Sequence, residues 1–462
     1  MKLLVAIANH GQGNRQYLDA IVETWRSMPH DVDIVALSNI PKDLGPHVEV
    51  RVGVPSENPR SLPFAHRELF AERRGDYDAF VYSEDDTLAR PQQIDAFFDA
   101  QAKLNPDEIA GFVRYEESPD GTRTVSTIHS FFRWLPHTVV QRGGEWFAQH
   151  SNPHSAFFIV TQDQLGRAID SGGFLVQPHE GRLHMLESAA TDIYTQCGLT
   201  RLLPIDRLLD VLLHHMPNKY LGKMGVTLDE LDTQVEALHA VRRGELPSDT
   251  LIRVEPDLPK AVHAKHVHRP PLTEVTETLA GAKRVLSIGA GAGELEAPLL
   301  ADGADVTVVP VDAVLGRCCE RRGMEVVHGP LDRLTDALGE GAFDAVLMES
   351  VLHLVENPAD VLAVARVVLR DGGFVVATTP NTTSLRSRRE AAREPAARIR
   401  SFHESATHPA SGRWLRHQLT DAGLRVAAVR HVPLGNASRL ATLLAKHRPS
   451  LANGLVLATA RK

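Results

Sequence analysis

The sequence predicts an α/β protein of two domains, and three observations carry that prediction. Near-continuous apolar runs at residues 2–8, 32–37 and 78–82 alternate with stretches of helical apolar spacing. A second series of the same kind opens at residues 284–294, RVLSIGAGAGE, where a short apolar strand runs into Gly289, Gly291 and Gly293. Between the two series the chain changes character and carries Pro247, Pro256, Pro259, Pro270 and Pro271. At 462 residues, two domains of roughly 200 residues each are the natural division. With 43% hydrophobic and 23% charged residues, each half has the apolar material for its own core.

Composition narrows the function classes. A net charge of −8, with no basic block, argues against nucleic acid as a partner, because such binding rests on neutralising phosphates. Three cysteines, Cys197, Cys318 and Cys319, do not make a disulfide framework. The opening MKLLVAIANHG reads as a core strand rather than a signal peptide, and no run of 18 apolar residues suggests a membrane span. A cytoplasmic location is expected.

In chain order, residues 2–8 are a strand buried on both faces, and 9–14 a polar loop. Leu18, Ile21, Val22 and Trp25 space a helix; 32–37 and 48–52 are strands, and 62–74 a helix. Residues 78–86, DAFVYSEDD, then place Glu84, Asp85 and Asp86 at the carboxyl end of an apolar strand. Ligands of open α/β sheets lie outside such ends. Three adjacent carboxylates repel one another unless a cation joins them, and a hard divalent ion suits these oxygens. A solvated acidic turn is the plain alternative. Further on, 89–105 is a helix, 108–115 a strand, and 116–150 a loop-rich stretch holding Phe131, Phe132, Arg133, Trp134 and Trp146. Residues 155–160 are a strand and 162–169 a helix. The stretch 186–197, LESAATDIYTQC, puts Glu187 and Asp192 on a helix, and 211–220, VLLHHMPNKY, delivers His214 and His215 from a helix-like stretch to a polar loop.

An apolar strand followed by Glu-Asp-Asp resembles the DxD motif of GT-A glycosyltransferases. The resemblance implies a GT-A-like domain over residues 1–225. It implies Asp86 as the metal ligand, completed by His215 or His214, with Mn²⁺ or Mg²⁺ as the ion. It further implies donor contacts from Glu84, Asp85, Asn9, His10 and Arg67. Asp192, and after it Glu187, is the expected base of an inverting transfer. Imidazole favours Mn²⁺. Residues 226–272 are a helical, Pro-rich linker, in which His263, His266 and His268 read as solvated side chains.

The glycine loop lets backbone approach a ligand without Cβ interference. Its G-x-G-x-G spacing resembles the first motif of class I S-adenosylmethionine-dependent methyltransferases. The later Phe343-Asp344, Gly372-Gly373 and Thr379-Pro380-Asn381 resemble the ubiquinone-type and sugar O-methyltransferases. The implied domain, residues 273–462, has the Rossmann-like fold, with Gly289, Gly291, Gly293, Asp312, Asp332 and Glu349 as cofactor contacts. His353 or His403 is the implied methyl-transfer base. Three departures stand against it: Ser287, Pro310 and Pro330 occupy positions where the family usually has acids. Asp312 and Asp332, each two residues on, are the substitutes. Residues 382–412, polar and Arg-rich, read as a substrate cover.

The combined expectation is a bifunctional enzyme that takes a nucleotide-sugar donor and a sugar, glycan or small-molecule acceptor, and O-methylates a hydroxyl with S-adenosylmethionine. Two alternatives stay open: a glycosyltransferase with a non-catalytic methyltransferase-like domain, and a nucleotide-binding scaffold without turnover.

Overall fold

The structure, a computed structural model, describes residues 1–126, 133–181, 183–222, 225–256, 258, 263–393, 397–432, 450 and 454–462. The chain divides into two compact units: Met1–His129 with Thr138–Asp232, and Ser130–His137 with Thr233–Lys462.

The first unit is built on β1 (Lys2–Asn9), whose residues after Lys2 are all buried, as a strand covered on both faces requires. It pairs in parallel with β2 (Asp31–Ser38) on one side and β4 (Ala79–Glu84) on the other. Beyond β2 lies β3 (Val48–Val52), also parallel. The short β5 (Thr87–Leu88) and then β6 (Val113–Glu117) follow in the chain. Next to β4 runs β7 (Phe157–Thr161), antiparallel. The sheet order is therefore β7-β4-β1-β2-β3. Helix α1 (Arg15–Arg26) packs its Leu18, Ile21, Val22 and Trp25 stripe inward, and α2 (Ala65–Glu72) precedes β4. The chain leaves β1 towards β2 and returns to β4, so the crevice between the carboxyl ends of β1 and β4 is a topological switch point.

Two expectations are corrected here. The stretch from 116 to 150 is not loop-rich: it holds strands Arg123–Val125, Trp134–Arg142 and Glu145–His150. Phe131 and Phe132 lie outside the described residues. Nor is the histidine pair carried on a helix-like stretch. Leu212–His215 is a strand, β8, paired in parallel with β6 and antiparallel with β5. Its partners on both sides supply ladder hydrogen bonds that a four-residue apolar run cannot announce by itself.

The second unit is a seven-stranded sheet of β9 (Arg284–Ala290), β10 (Asp305–Pro310), β11 (Glu325–Val326), β12 (Phe343–Met348), β13 (Leu369–Pro380), β14 (Arg425–Val432) and β15 (Leu455–Arg461). Their order is β11-β10-β9-β12-β13-β15-β14. β15 runs antiparallel between β13 and β14; the remaining pairings are parallel. Apolar side chains from both faces, Val285, Leu286, Ile288, Val346 and Leu347, are fully buried. Helices α3 (Met185–Thr195) of the first unit and α4 (Ala313–Arg321) and α5 (Leu331–Leu338) of the second carry expected site residues. Among the described residues, no helix is long and apolar enough to cross a membrane.

Candidate functional sites

In the first unit the acids leave β4 and turn at once into β5. Pairing of β5 with β8 sets Thr87 opposite His215, and the Met216 N–H donates to the Asp86 carbonyl at 3.0 Å. This register brings His215 Nε2 to 3.5 Å from Asp86 Oδ2. The other ring nitrogen, Nδ1, lies 2.6 Å from Glu116 Oε1, and Glu116 Oε2 accepts the Tyr220 N–H at 2.8 Å. All three side chains are buried. Successive residues of a strand face opposite ways, so His214 points elsewhere and stacks on Tyr115 at 5.1 Å between ring centroids. The metal role expected of His214 is therefore not supported by its direction.

The electrostatics of this cluster are strained towards a cation. Burial, then the charge of Asp86, pushes the Glu84 carboxyl well above its usual range. Burial lifts Asp85 to about 6, although Asn14 and Asn9 both donate to it. Burial also opposes ionisation of Asp86, but the contact with His215 and the nearby Arg114 and Lys219 prevail and hold its pKa below the ordinary value. Buried Asp86 Oδ1 and Glu84 Oε1 have no hydrogen-bond partner. Orphaned carboxylate oxygens beside an imidazole whose far nitrogen is fixed by a second carboxylate are donors of the kind a divalent ion takes, though these residues do not bring three ligand atoms together.

The remaining expected residues divide. Asn9 is in the site: its amide donates to Asp85 and its oxygen accepts from Lys42. His10 is exposed. Arg67 is not a donor contact but a buried partner of Asp192, with Nη2 at 2.7 Å from Oδ2. The same Asp192 oxygen lies 2.9 Å from His179 Nε2. Asp192 is thereby committed to Arg67 and His179, which is the wrong setting for a free base. Glu187, one and a half turns earlier on α3, has a buried Oε2 without a partner, and its charge contributes to raising Glu84. Glu116, Asn14, Lys42 and Arg114 were missed by sequence reading; only the alternation in VRYEE hinted that Arg114 and Glu116 share a face.

In the second unit the glycine loop closes β9. Gly289 has φ +80°, and a Cβ there would meet Val351 at 2.6 Å. Gly293 lies at the third position with φ +93°. Ser287 donates to Glu296 at 2.7 Å, so the missing acid of the first strand is answered by a buried carboxyl nine residues on. Asp312 is buried; its Oδ1 caps α4 through the Val314 and Leu315 N–H groups, and its Oδ2 pairs with Arg133 at 3.1 Å. It does not offer a carboxylate to a ribose. Asp332 is exposed in the first turn of α5. Glu349 is buried with Lys265 Nζ at 2.9 Å and Arg269 Nε at 3.4 Å. Burial works against its ionisation, yet these two cations hold its pKa at about 2. His353 Nε2 lies 3.0 Å from the His263 carbonyl, and burial lowers its pKa to about 3, so it is a poor proton acceptor near neutrality. His403 is exposed on the short helix Phe402–Ser405. The linker is not uniformly solvated: Lys265 and Val267 are buried, and the His268 side chain is 6% exposed, with Nδ1 3.2 Å from Glu294.

The glycine loop has the close backbone approach that only glycine allows, as a cofactor loop requires. The Val267 carbonyl oxygen is 2.0 Å from where a Gly291 Cβ would stand, and it accepts the Ala292 N–H at 2.8 Å.

Comparison with known proteins bears on this second unit. Residues 263–429 match the family model described as "Methyltransferase domain". The ubiquinone biosynthesis O-methyltransferases of Xylella fastidiosa (strain M23) and Xanthomonas oryzae pv. oryzae (strain PXO99A) are each 30% identical over 129 residues. That is 27% of this chain and 52% and 54% of theirs, so the chain spans about half the length of the curated relatives it matches. Among solved structures, a SAM-dependent methyltransferase of Thermotoga maritima, a possible histamine N-methyltransferase, is 20% identical with a TM-score of 0.31, covering 41% of this chain and 86% of that one. A SAM-dependent methyltransferase of Archaeoglobus fulgidus is 17% identical with a TM-score of 0.31, covering 41% and 90%. The family match lies wholly outside the first unit. The second unit of this chain carries a class I methyltransferase domain.

Proposed function

We propose that the chain is a bifunctional transferase, moving a sugar from a nucleotide-sugar donor in its first unit and a methyl group from S-adenosylmethionine to a hydroxyl in its second. The observation that carries the glycosyl part is the Glu116–His215–Asp86 line, with His215 Nε2 3.5 Å from Asp86 and a buried Asp86 oxygen left without a partner. A bound Mn²⁺ or Mg²⁺ supplies positive charge against the departing diphosphate. Glu116 fixes the ring of His215 and its tautomer, while Asn9 and Asn14 orient Asp85 towards the donor side of the switch point. Glu187 takes the proton of the acceptor hydroxyl as that oxygen bonds to the anomeric carbon and the carbon–phosphate oxygen bond breaks. This route inverts the anomeric centre.

The methyl part is supported by the family match and by the glycine loop. The curated relatives are named as O-methyltransferases, which favours a hydroxyl acceptor here. A second reading, glycosyl transfer beside a methyltransferase domain without turnover, is favoured by Pro310 at the ribose position and by the engagement of Asp312 with Arg133.

A panel of nucleotide sugars with Mn²⁺, read as released nucleoside diphosphate, tests the glycosyl reading. We expect release from at least one donor, abolished by chelation and reduced at least about 100-fold by Asp86→Ala. Unchanged release by that variant removes the metal assignment.

A further inference from the structure

The ligand edge of the second unit's open sheet lies outside the carboxyl ends of its parallel strands, β12 and β13 among them. The chain leaves β13 there, at Pro380, and passes into a helix, α6 (Leu385–Arg393). Polar groups fix its entry. Asn381 is buried, and its Oδ1 accepts the Thr383 hydroxyl at 2.7 Å. The Thr382 N–H donates to the Ala410 carbonyl at 2.9 Å. Ser384 Oγ accepts the Ser387 N–H at 3.2 Å, and Ser387 Oγ donates to the Asn381 carbonyl, also at 3.2 Å. The start of α6 is thereby tied to the end of β13.

The body of the helix is built differently. None of its residues is buried. Helices of globular proteins are held mainly by an apolar face packed on the core. α6 carries instead four arginines against one glutamate, in a chain of net charge −8. At about 100° per residue, the half-buried Ser387, Glu390 and Ala391 lean inward, and the exposed Arg386, Arg388, Arg389 and Arg393 face outward. Arg386 spends its charge on Glu390, with Nε 3.0 Å from Oε1. Among the described residues, no carboxylate pairs with Arg388, Arg389 or Arg393. Arg389 and Arg393 stand four apart, where like charges repel. A helix held by no buried side chain and opposed by its own charge gains stability from an anion. The three guanidinium groups start from about 8 Å of helix. Each can meet a phosphate or a carboxylate through two N–H groups at once.

We propose that Arg388, Arg389 and Arg393 form an oxyanion-binding face at the acceptor end of the methyltransferase domain, and that the hydroxyl methylated there belongs to a compound carrying a phosphate or carboxylate group. The proposal rests on the methyl-transfer reading given above. The face holds the anionic end of the acceptor while the hydroxyl lies at the sheet edge. These arginines make and break no bond, so they add affinity rather than chemistry. Because the face is exposed, its hold weakens as salt is added.

The test uses the full chain in EDTA. Calorimetric titration with inorganic pyrophosphate, with citrate and with S-adenosylmethionine compares the wild type with the combined variant Arg388→Gln, Arg389→Gln and Arg393→Gln. We expect the wild type to bind at least one of the two anions, the variant to bind it about tenfold or more weakly, and both to bind S-adenosylmethionine alike. Pyrophosphate alone supports a phosphate-bearing acceptor, and citrate alone a carboxylate-bearing one. The matching combined change to lysine keeps the charge but loses the paired N–H groups, and should fall between the two. Equal anion binding by the wild type and the glutamine variant, or none by either, overturns the face; S-adenosylmethionine binding then leaves methyl transfer standing. Failure of the wild type to bind S-adenosylmethionine removes the methyl-transfer reading and the anionic acceptor with it, whatever the anions do. Binding of phosphatidylcholine–phosphatidylglycerol vesicles, with neither small anion bound, overturns the proposal in favour of a membrane surface. If the glutamine variant loses S-adenosylmethionine binding that the wild type keeps, it is misfolded and the lysine variant decides.

Discussion

Asp86 and His215 are 129 positions apart, and the pairing of β5 with β8 brings their side chains to 3.5 Å, a proximity that the sequence suggests only through the order of an acidic strand end and a late imidazole. Glu116 was not legible, because its part depends on β6 lying against β8, which no local pattern states. Its carboxylate holds the His215 imidazole and the Tyr220 N–H, so it acts by positioning. Glu116→Gln is expected to weaken Mn²⁺ binding by about 10- to 100-fold while leaving the fold intact, read by titration of the metal. A second residue-scale expectation concerns pH. His353 has its pKa lowered from 6.5 to about 3 by burial. Protonation therefore favours the unfolded chain, which takes up a proton below 6.5 while the folded one does not until about 3. Its contribution to stability is complete above pH 6.5 and declines as the pH falls towards 3. Glu349, held at about 2 against an ordinary 4.5, acts in the same direction at lower pH. The urea midpoint of the second unit is expected to drop between pH 7 and 5, and His353→Gln to flatten that slope. An unflattened slope would assign it to other groups.

At the scale of elements, the glycine loop shows what pattern can and cannot tell. Its strand–loop–helix context was readable, as were the seven-strand order's ingredients, because apolar runs of five or six residues separated by amphipathic stretches leave few arrangements. What lies on the loop was not readable. HVHRPP reads as linker by composition, and only long-range contacts make Val267 a core residue. Likewise VLLHHM carries too few residues to separate strand from helix, and the choice decided which histidine faces Asp86. Gly289 tests the loop's rigidity directly. An alanine there meets Val351 and must hold a left-handed conformation, so Gly289→Ala is expected to cost at least about 1 kcal/mol. The urea midpoint should fall with the slope of the transition unchanged. No change in midpoint would mean that the turn relaxes freely.

For the whole molecule, the division into two compact units, with one proposed ligand set for each, predicts selective stabilisation. Anything that binds only the folded state raises its stability by mass action, by about 2.7 kcal/mol at 100 times Kd. Mn²⁺ with a nucleotide sugar should raise the melting of the first unit, and S-adenosylmethionine that of the second. Calorimetry of Asp86→Ala should show the first shift lost and the second retained; loss of both would argue that the variant is misfolded. The topology of the second unit has one more consequence. Leu455–Arg461 sits between β13 and β14, so the residues synthesised last in this sheet occupy an interior berth. A ribosome that stalls before position 455 releases two facing strand edges with a gap the width of one strand. Such a gap is a template for any extended peptide nearby. Truncated translation products of this chain should therefore be ready clients for chaperones, and a synthetic peptide of the missing strand should rescue their solubility.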